Sequence, residues 1–242
     1  MANCPKCGVE NADEAQFCKE CGALMTDEPI AEVQPTMAPA GGDELTVVSI
    51  ITQGLQLGLK NAASIFAAVL LWLVTVWIPY INIGTSIALW GGIVIAMSTG
   101  EVFNPLDIFK ADYRRYMGEF FLLMGLIWMG VLVGYVFMII PGIIISVAWC
   151  LAIPLMIDKG ISPIESLKAS NEVTYGKKWV MFGGLILLWL AVWITVLVLG
   201  FLFGTLSDTL GTLIGALGYM VLMPAIILGA MAHIYGVLSK KA

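Results

Sequence analysis

The sequence predicts an all-α polytopic membrane domain of six transmembrane helices, arranged as three hairpins with interfacial amphipathic helices and preceded by a small cysteine-bearing module. Three observations predict it. The 242-residue chain is 60% hydrophobic and 12% charged, whereas a soluble domain is about a quarter charged, so much of it must face lipid. Four of its five cysteines fall in the first 21 residues. Charge is also split along the chain. Residues 1–44 carry nine acids against Lys6 and Lys19, a net of −7, and the remainder carries a net of +2. The implied boundaries are 1–24 for the module, 25–43 for a linker and 44–242 for the membrane domain.

Residues 4–22 read CPKCGVENADEAQFCKECG, with Cys4-x2-Cys7 and Cys18-x2-Cys21 each followed by glycine. Two residues between cysteines let both thiolates reach one ion from a tight turn. Gly8 and Gly22 let the backbone curl toward the sulfurs. Two such knuckles make a closed tetrahedral site for one structural zinc ion, held by Cys4, Cys7, Cys18 and Cys21. A closed site has no position for water or substrate, so it is not catalytic. A module this short cannot bury enough apolar surface alone, so metal binding and folding are expected to be one event. Iron in a similar four-sulfur site and a pair of disulfides are the competing chemistries, the latter disfavoured in a reducing compartment. The segment resembles the short zinc ribbons at the ends of many bacterial and archaeal membrane proteins. Glu10, Asp13, Glu14 and Glu20 outnumber Lys6 and Lys19. That sign opposes phosphate binding, so no nucleic acid is expected.

Residues 25–43, MTDEPIAEVQPTMAPAGGD, hold three prolines and several acids without a helical stripe. A coil of this length spans about 25 Å. Beyond it, six apolar runs approach the ~20 residues needed to cross a bilayer: about 62–79, 81–98, 119–140, 142–157, 179–204 and 209–237. Every lysine and arginine falls in the segments before, between or after the hairpins. Lys60, Lys110, Arg114, Arg115, Lys159, Lys168, Lys177, Lys178, Lys240 and Lys241 thus share one side with Lys6 and Lys19. The opposite side holds three tight turns, at Ile78-Pro79-Tyr80, Ile140-Pro141-Gly142 and Gly204–Asp208. By the positive-inside rule both termini are cytosolic, in a bacterial cytoplasmic membrane. The N-terminus, Met-Ala-Asn-Cys, has neither a basic nor an apolar leader region, so no signal peptide is expected.

An amphipathic stretch precedes each hairpin. In 44–60, Leu45, Val48, Ile51, Leu55 and Leu59 oppose Ser49, Thr52, Gln53, Gln56 and Lys60. In 105–116, Leu106, Phe109, Tyr113 and Tyr116 oppose Asp107, Lys110 and Arg114; in 163–175, Ile164, Leu167 and Asn171 oppose Glu165, Lys168 and Glu172. Asn104-Pro105 with Asp107, and Ser162-Pro163 with Glu165, share an N-cap, a first-turn proline and an N3 acid. This suggests a threefold repeat whose first copy diverges most. Such helices are expected in the headgroup plane. Small residues recur at four-residue spacing in Gly84-Ala88-Gly92-Ala96, Gly130-x3-Gly134, Gly200-x3-Gly204 and Ser207-Gly211-Gly215. They predict close helix contacts, within the bundle or between copies. Pro154 and Pro224 are expected to interrupt spans four and six. Trp72, Trp128 and Trp189 read as bundle packing, and Trp77, Tyr80, Trp179 and Tyr235 as interfacial.

Residues 141–178, with a Pro-Gly turn, a proline-broken span and Gly-x-x-Pro-Ile-Glu-Ser-Leu-Lys-x-Ser, resemble bacterial six-helix membrane proteins of unknown function. They are also similar to the membrane domain of some glycerophosphodiester phosphodiesterases. Those relatives often carry a basic residue in the fourth span where this chain has Ala148 or a neighbour, and their catalytic domain has no counterpart here. The resemblance implies a fold and a location, without an activity.

Glu119, Asp158 and His233 fall near span ends, and Cys150 reads as packing. No paired carboxylates, no nucleophile beside a base and no phosphate-binding loop appear, so the chain reads as non-enzymatic. The expected function is a membrane scaffold or accessory subunit whose ribbon binds a protein partner, or a homo-oligomer, among membrane lipids. The alternative is a transporter, channel or lipid-handling protein with a regulatory ribbon. It would use backbone carbonyls and hydroxyls such as Thr75, Ser146 or Thr195.

Overall fold

The computed structural model describes residues 2–3, 9–11 and 44–241, and the chain divides into two compact units, Met1–Thr36 and Met37–Ala242. In the first, β1 (Ala2–Asn3) and β2 (Glu10–Asn11) pair antiparallel, Ala2 opposite Asn11 and Asn3 opposite Glu10. The linker expected over 25–43 lies outside the described residues.

Among the described residues the second unit is helical, and six of its helices are long and apolar enough to cross a membrane. They are Val47–Thr75, Pro79–Ser98, Met117–Phe137, Ile139–Lys159, Lys178–Gly204 and Asp208–Leu238. The first is one continuous helix, α1 (Val47–Thr75). The stretch 44–60 is therefore not a separate interfacial helix but the first half of span one. The sequence offers no breaker at Lys60-Asn61-Ala62, and a capping box at Thr46 starts the helix within that stretch. Thr46 Oγ1 accepts from the Ser49 amide at 3.1 Å, and Ser49 Oγ accepts from the Thr46 amide at 3.0 Å. At 29 residues α1 is about 43 Å long, more than the ~30 Å hydrocarbon thickness.

The second span comprises α2 (Pro79–Ile87), a π-helical turn over Ala88–Gly92 and α3 (Ile93–Ser98). It closes at Gly100, whose φ of 83° requires glycine. The stretch 105–116 is not one helix. It breaks into a 3-10 turn (Pro105–Phe109) and the single α-turn α4 (Ala111–Arg114), and it folds back along span two. Ile108 is buried, while Leu106, expected on the apolar face, is exposed. Span three is α5 (Met117–Phe137).

Span four is split into α6 (Ile139–Ala148) and α7 (Ala152–Lys159). Pro154 has no amide to give to Cys150, and its ring disfavours the helix one turn upstream, so the chain breaks over Trp149–Leu151. The expected turn at Ile140-Pro141-Gly142 lies inside α6. Spans three and four are joined instead by Met138, in extended conformation at φ −166° and ψ 153°. After Gly160, at φ 61°, comes α8 (Pro163–Val173), then α9 (Lys178–Gly204) and α10 (Asp208–Leu238). Pro224 lies within α10 without interrupting it.

Close packing follows glycine. The most extensive helix pair joins α1 to α10. A Cβ on Gly58 would lie 2.5 Å from the Ala225 carbonyl oxygen, and one on Gly54 2.8 Å from Ala230 Cα. The buried face of α1 is thus Ile50, Gly54, Leu57, Gly58 and Asn61. The larger residues of the stripe expected to lie in the headgroup plane, Val48, Leu55 and Leu59, are exposed on the outer face of the same helix. In a bilayer apolar bulk gains nothing by turning inward, and small residues let backbones meet. The same rule places Gly211 of α10 against Gly200 and Gly204 of α9, and Gly134 of α5 against Gly142 of α6. The small-residue spacings therefore serve contacts inside the unit. Trp128 and Trp189, expected within the bundle, face outward, while Tyr235, expected at an interface, is 2% exposed.

Candidate functional site

The four cysteines Cys4, Cys7, Cys18 and Cys21 lie outside the described residues. What the structure gives is the frame around the first pair. β1 ends at Asn3 and β2 begins at Glu10, so the antiparallel pairing draws together the two ends of the segment that carries Cys4 and Cys7. A Cys-x2-Cys turn needs that arrangement, and four thiolates are the donor set of a structural zinc ion. The residues fit the metal. With all positions filled by protein sulfur, such an ion would supply folding energy and no reaction.

In the second unit, the Ser162-Pro163 motif of the last amphipathic stretch builds a junction. Ser162 and Glu165 form a full capping box: Glu165 Oε2 accepts from the Ser162 amide at 3.0 Å and from its hydroxyl at 2.8 Å. These bonds hold the Glu165 carboxyl below its ordinary value, the hydroxyl contributing most. α8 then packs back on α7. Its buried face is Pro163, Ser166, Ser170 and Val173, and Ile164, expected on the apolar stripe of an interfacial helix, is 57% exposed. The reason is proximity: hydroxyl-bearing small residues let α8 reach the broken span. Ser170 Oγ donates to the Ala148 carbonyl at 2.7 Å and accepts from the Leu151 amide at 3.2 Å. Two of the backbone groups freed by the break are therefore satisfied by the chain itself.

Two further junctions tie spans together. Asn61 of α1, fully buried, donates to the Leu57 carbonyl at 3.0 Å and accepts from the Phe103 amide at 2.9 Å. Beside it, Lys60 Nζ donates to the Gly100 carbonyl at 2.6 Å, capping the end of span two. The Tyr235 hydroxyl of α10 donates to Asp158 Oδ2 of α7 at 2.5 Å. His233 is half-buried, and its Nε2 has no hydrogen-bond partner. Cys150 is a free, partly buried thiol packed against the main core. Among the described residues no three His, Cys, Asp or Glu side chains gather where they could hold a metal.

Near the start of span two, Trp72 Nε1 donates to Ser86 Oγ at 2.8 Å, and Asn82 Nδ2 to Thr75 Oγ1 at 3.1 Å. Thr75, a hydroxyl considered for a pore, is spent here on helix packing. Sequence reasoning missed Asn61, Ser170 and the Asp158–Tyr235 pair. The signal for the first two was a polar residue in line with glycines or serines. The third gave none, because its partners lie 77 residues apart. Arg114, expected on the basic side, lies instead against Gly84 and over the Tyr80 ring, 5.8 Å from its centroid. It thus meets the tip that was expected on the opposite face.

A zinc-ribbon domain model matches residues 3–25. No curated protein and no solved structure matches the chain. The chain therefore joins a zinc-ribbon segment to a helical domain with six candidate membrane spans.

Proposed function

We propose that this is a non-enzymatic, multi-pass protein of the bacterial cytoplasmic membrane, a scaffold or accessory subunit whose zinc ribbon captures a protein partner. The observation that carries the reading is the zinc-ribbon match over residues 3–25, a closed four-sulfur donor set on an acidic module with no room for a substrate. The module's excess of acids over Lys6 and Lys19 disfavours phosphate and suits protein capture. The membrane unit supports the reading through the use of its interior polar groups: Asn61, Thr75, Ser166 and Ser170 all bond within the chain.

In this reading the six spans form three hairpins with both termini on the cytosolic side. The lysine-bearing segments around the hairpins support that orientation, and Arg114 is the exception to it, reaching toward Tyr80 along the flank of span two. The resemblance of 141–178 to the membrane domain of some phosphodiesterases supports a location and lends no activity. The test is affinity purification from native membranes with wild type and with Cys4→Ser/Cys7→Ser. A stoichiometric partner protein is expected with the first and lost with the second, with membrane insertion unchanged. A partner retained at full yield by the double variant refutes the ribbon's role.

A second reading, transport or lipid handling, draws on the split of span four and the π turn of span two, irregularities that line cavities in transporters. The double hydrogen bond of Ser170 weighs against it, because it fills the break that a substrate would need. Solute flux in proteoliposomes separates the two.

A further inference from the structure

We infer that Arg114 anchors a headgroup site for an anionic phospholipid, its guanidinium taking the lipid phosphodiester. The argument begins with placement. The 105–116 segment folds back along span two, and the Arg114 stem lies in a slot opened by Gly84, where a Cβ would stand 2.7 Å from Arg114 Cγ. Gly84 lies within the helical stretch Pro79–Ser98, which is long and apolar enough to cross a membrane. A permanent positive charge is thus held beside a candidate span. Such a charge is costly there unless it reaches the interface or meets an anion.

The described residues supply no such anion. Asp107 pairs with Lys110 at 2.9 Å and Asp112 with Arg115 at 3.6 Å. Among the described residues no carboxylate lies within ion-pair distance of Arg114. Its contacts are one bond from Nη1 to the Phe109 carbonyl at 3.2 Å and the face of Tyr80. Most of the N–H fork is left to donate, and that fork matches the paired oxygens of a phosphate. Tyr80 and Trp77, 62% and 89% exposed, are amphipathic rings of the kind that sit at headgroup level. A bilayer presents lipid phosphate at that level. A single unbalanced cation favours lipids with net negative charge over zwitterionic ones.

Native mass spectrometry of the full chain in detergent, titrated with phosphatidylglycerol, tests this. Phosphatidylcholine and inorganic phosphate are the comparison arms. Arg114→Gln should weaken phosphatidylglycerol binding about tenfold, the loss of one charge-assisted contact. Arg114→Lys should retain part of the affinity, and it guards against a folding defect, read by unchanged helical circular dichroism. Arg115→Gln, which removes an exposed and already paired guanidinium, should stay within about twofold of wild type. Four results would each overturn the site: Arg114→Gln binding like wild type, Arg115→Gln losing as much, phosphatidylcholine binding equally well, or inorganic phosphate displacing the lipid at comparable concentration.

Discussion

Replacing Ser170 with alanine removes both bonds that close the break in span four, and the size of the effect follows from the geometry. The hydroxyl is fully buried, donates at 2.7 Å to the Ala148 carbonyl and accepts at 3.2 Å from the Leu151 amide. Alanine leaves a carbonyl and an amide unpaired where water does not reach, at about 1–3 kcal/mol each. Hydrogen bonds measured inside membrane proteins average less, about 0.6 kcal/mol, so the sum is set at about 2 kcal/mol. In a unit of this size that lowers Tm by about 4–8 °C. Ser166→Ala is the matched control. Ser166 is equally buried, but its hydroxyl bonds only to the Pro163 carbonyl of its own first turn, at 2.8 Å, so the loss should stay below about 1 kcal/mol. Thermal unfolding in detergent gives the difference, and hydrogen exchange over 148–152 locates it. If Ser170→Ala matches Ser166→Ala in Tm and the 148–152 amides stay protected, the hydroxyl does not hold the break closed and the reasoning fails.

Three other outcomes are expected. Elemental analysis should find one zinc per chain in wild type and in Cys150→Ser, and none in Cys4→Ser/Cys7→Ser. Retention of metal by the double variant would exclude the proposed ligand set. Gly58→Ala places a methyl 2.5 Å from the Ala225 carbonyl oxygen and should cost about 1–3 kcal/mol in denaturant titrations. Gly118→Ala, with nothing within 4 Å, should be neutral or stabilising by up to about 1 kcal/mol. The capping box should also respond to pH. Because bonding to Ser162 lowers the Glu165 carboxyl from 4.5, its contribution is present above that value and is lost as pH falls through the lower folded one. The Tm gap between wild type and Glu165→Gln should therefore close in acid; a gap constant from pH 7 to 3 would show that the ionised carboxylate contributes nothing.

The sequence was legible where a signal was local. Apolar runs located all six spans, and Asn104-Pro105 and Ser162-Pro163 marked real starts, because caps and prolines act within one turn. It was misleading where orientation depends on neighbours. The stripe of Leu55 and Leu59 marked a helix lying in the headgroup plane, yet the segment is the first half of span one and turns Gly54 and Gly58 to its neighbour, since lipid makes bulk indifferent and proximity decisive. Ile164 gave way to Ser166 and Ser170 for the same reason. Arg114 could not be located at all from charge counting, since the fold of 105–116 back along span two depends on Gly84 and Gly92 making room. At the ribbon, the cysteine spacing and the domain match agree over nearly the same residues.

The pairing of α1 with α10 has a consequence for biosynthesis. α1 is made well before α10 and must wait for it, so the Gly54–Gly58 groove stands without its mate while the four intervening candidate spans are made. A ribosome that stalls before residue 225 would leave that groove vacant, giving quality-control proteases a mark by which to tell an unfinished chain from a finished one.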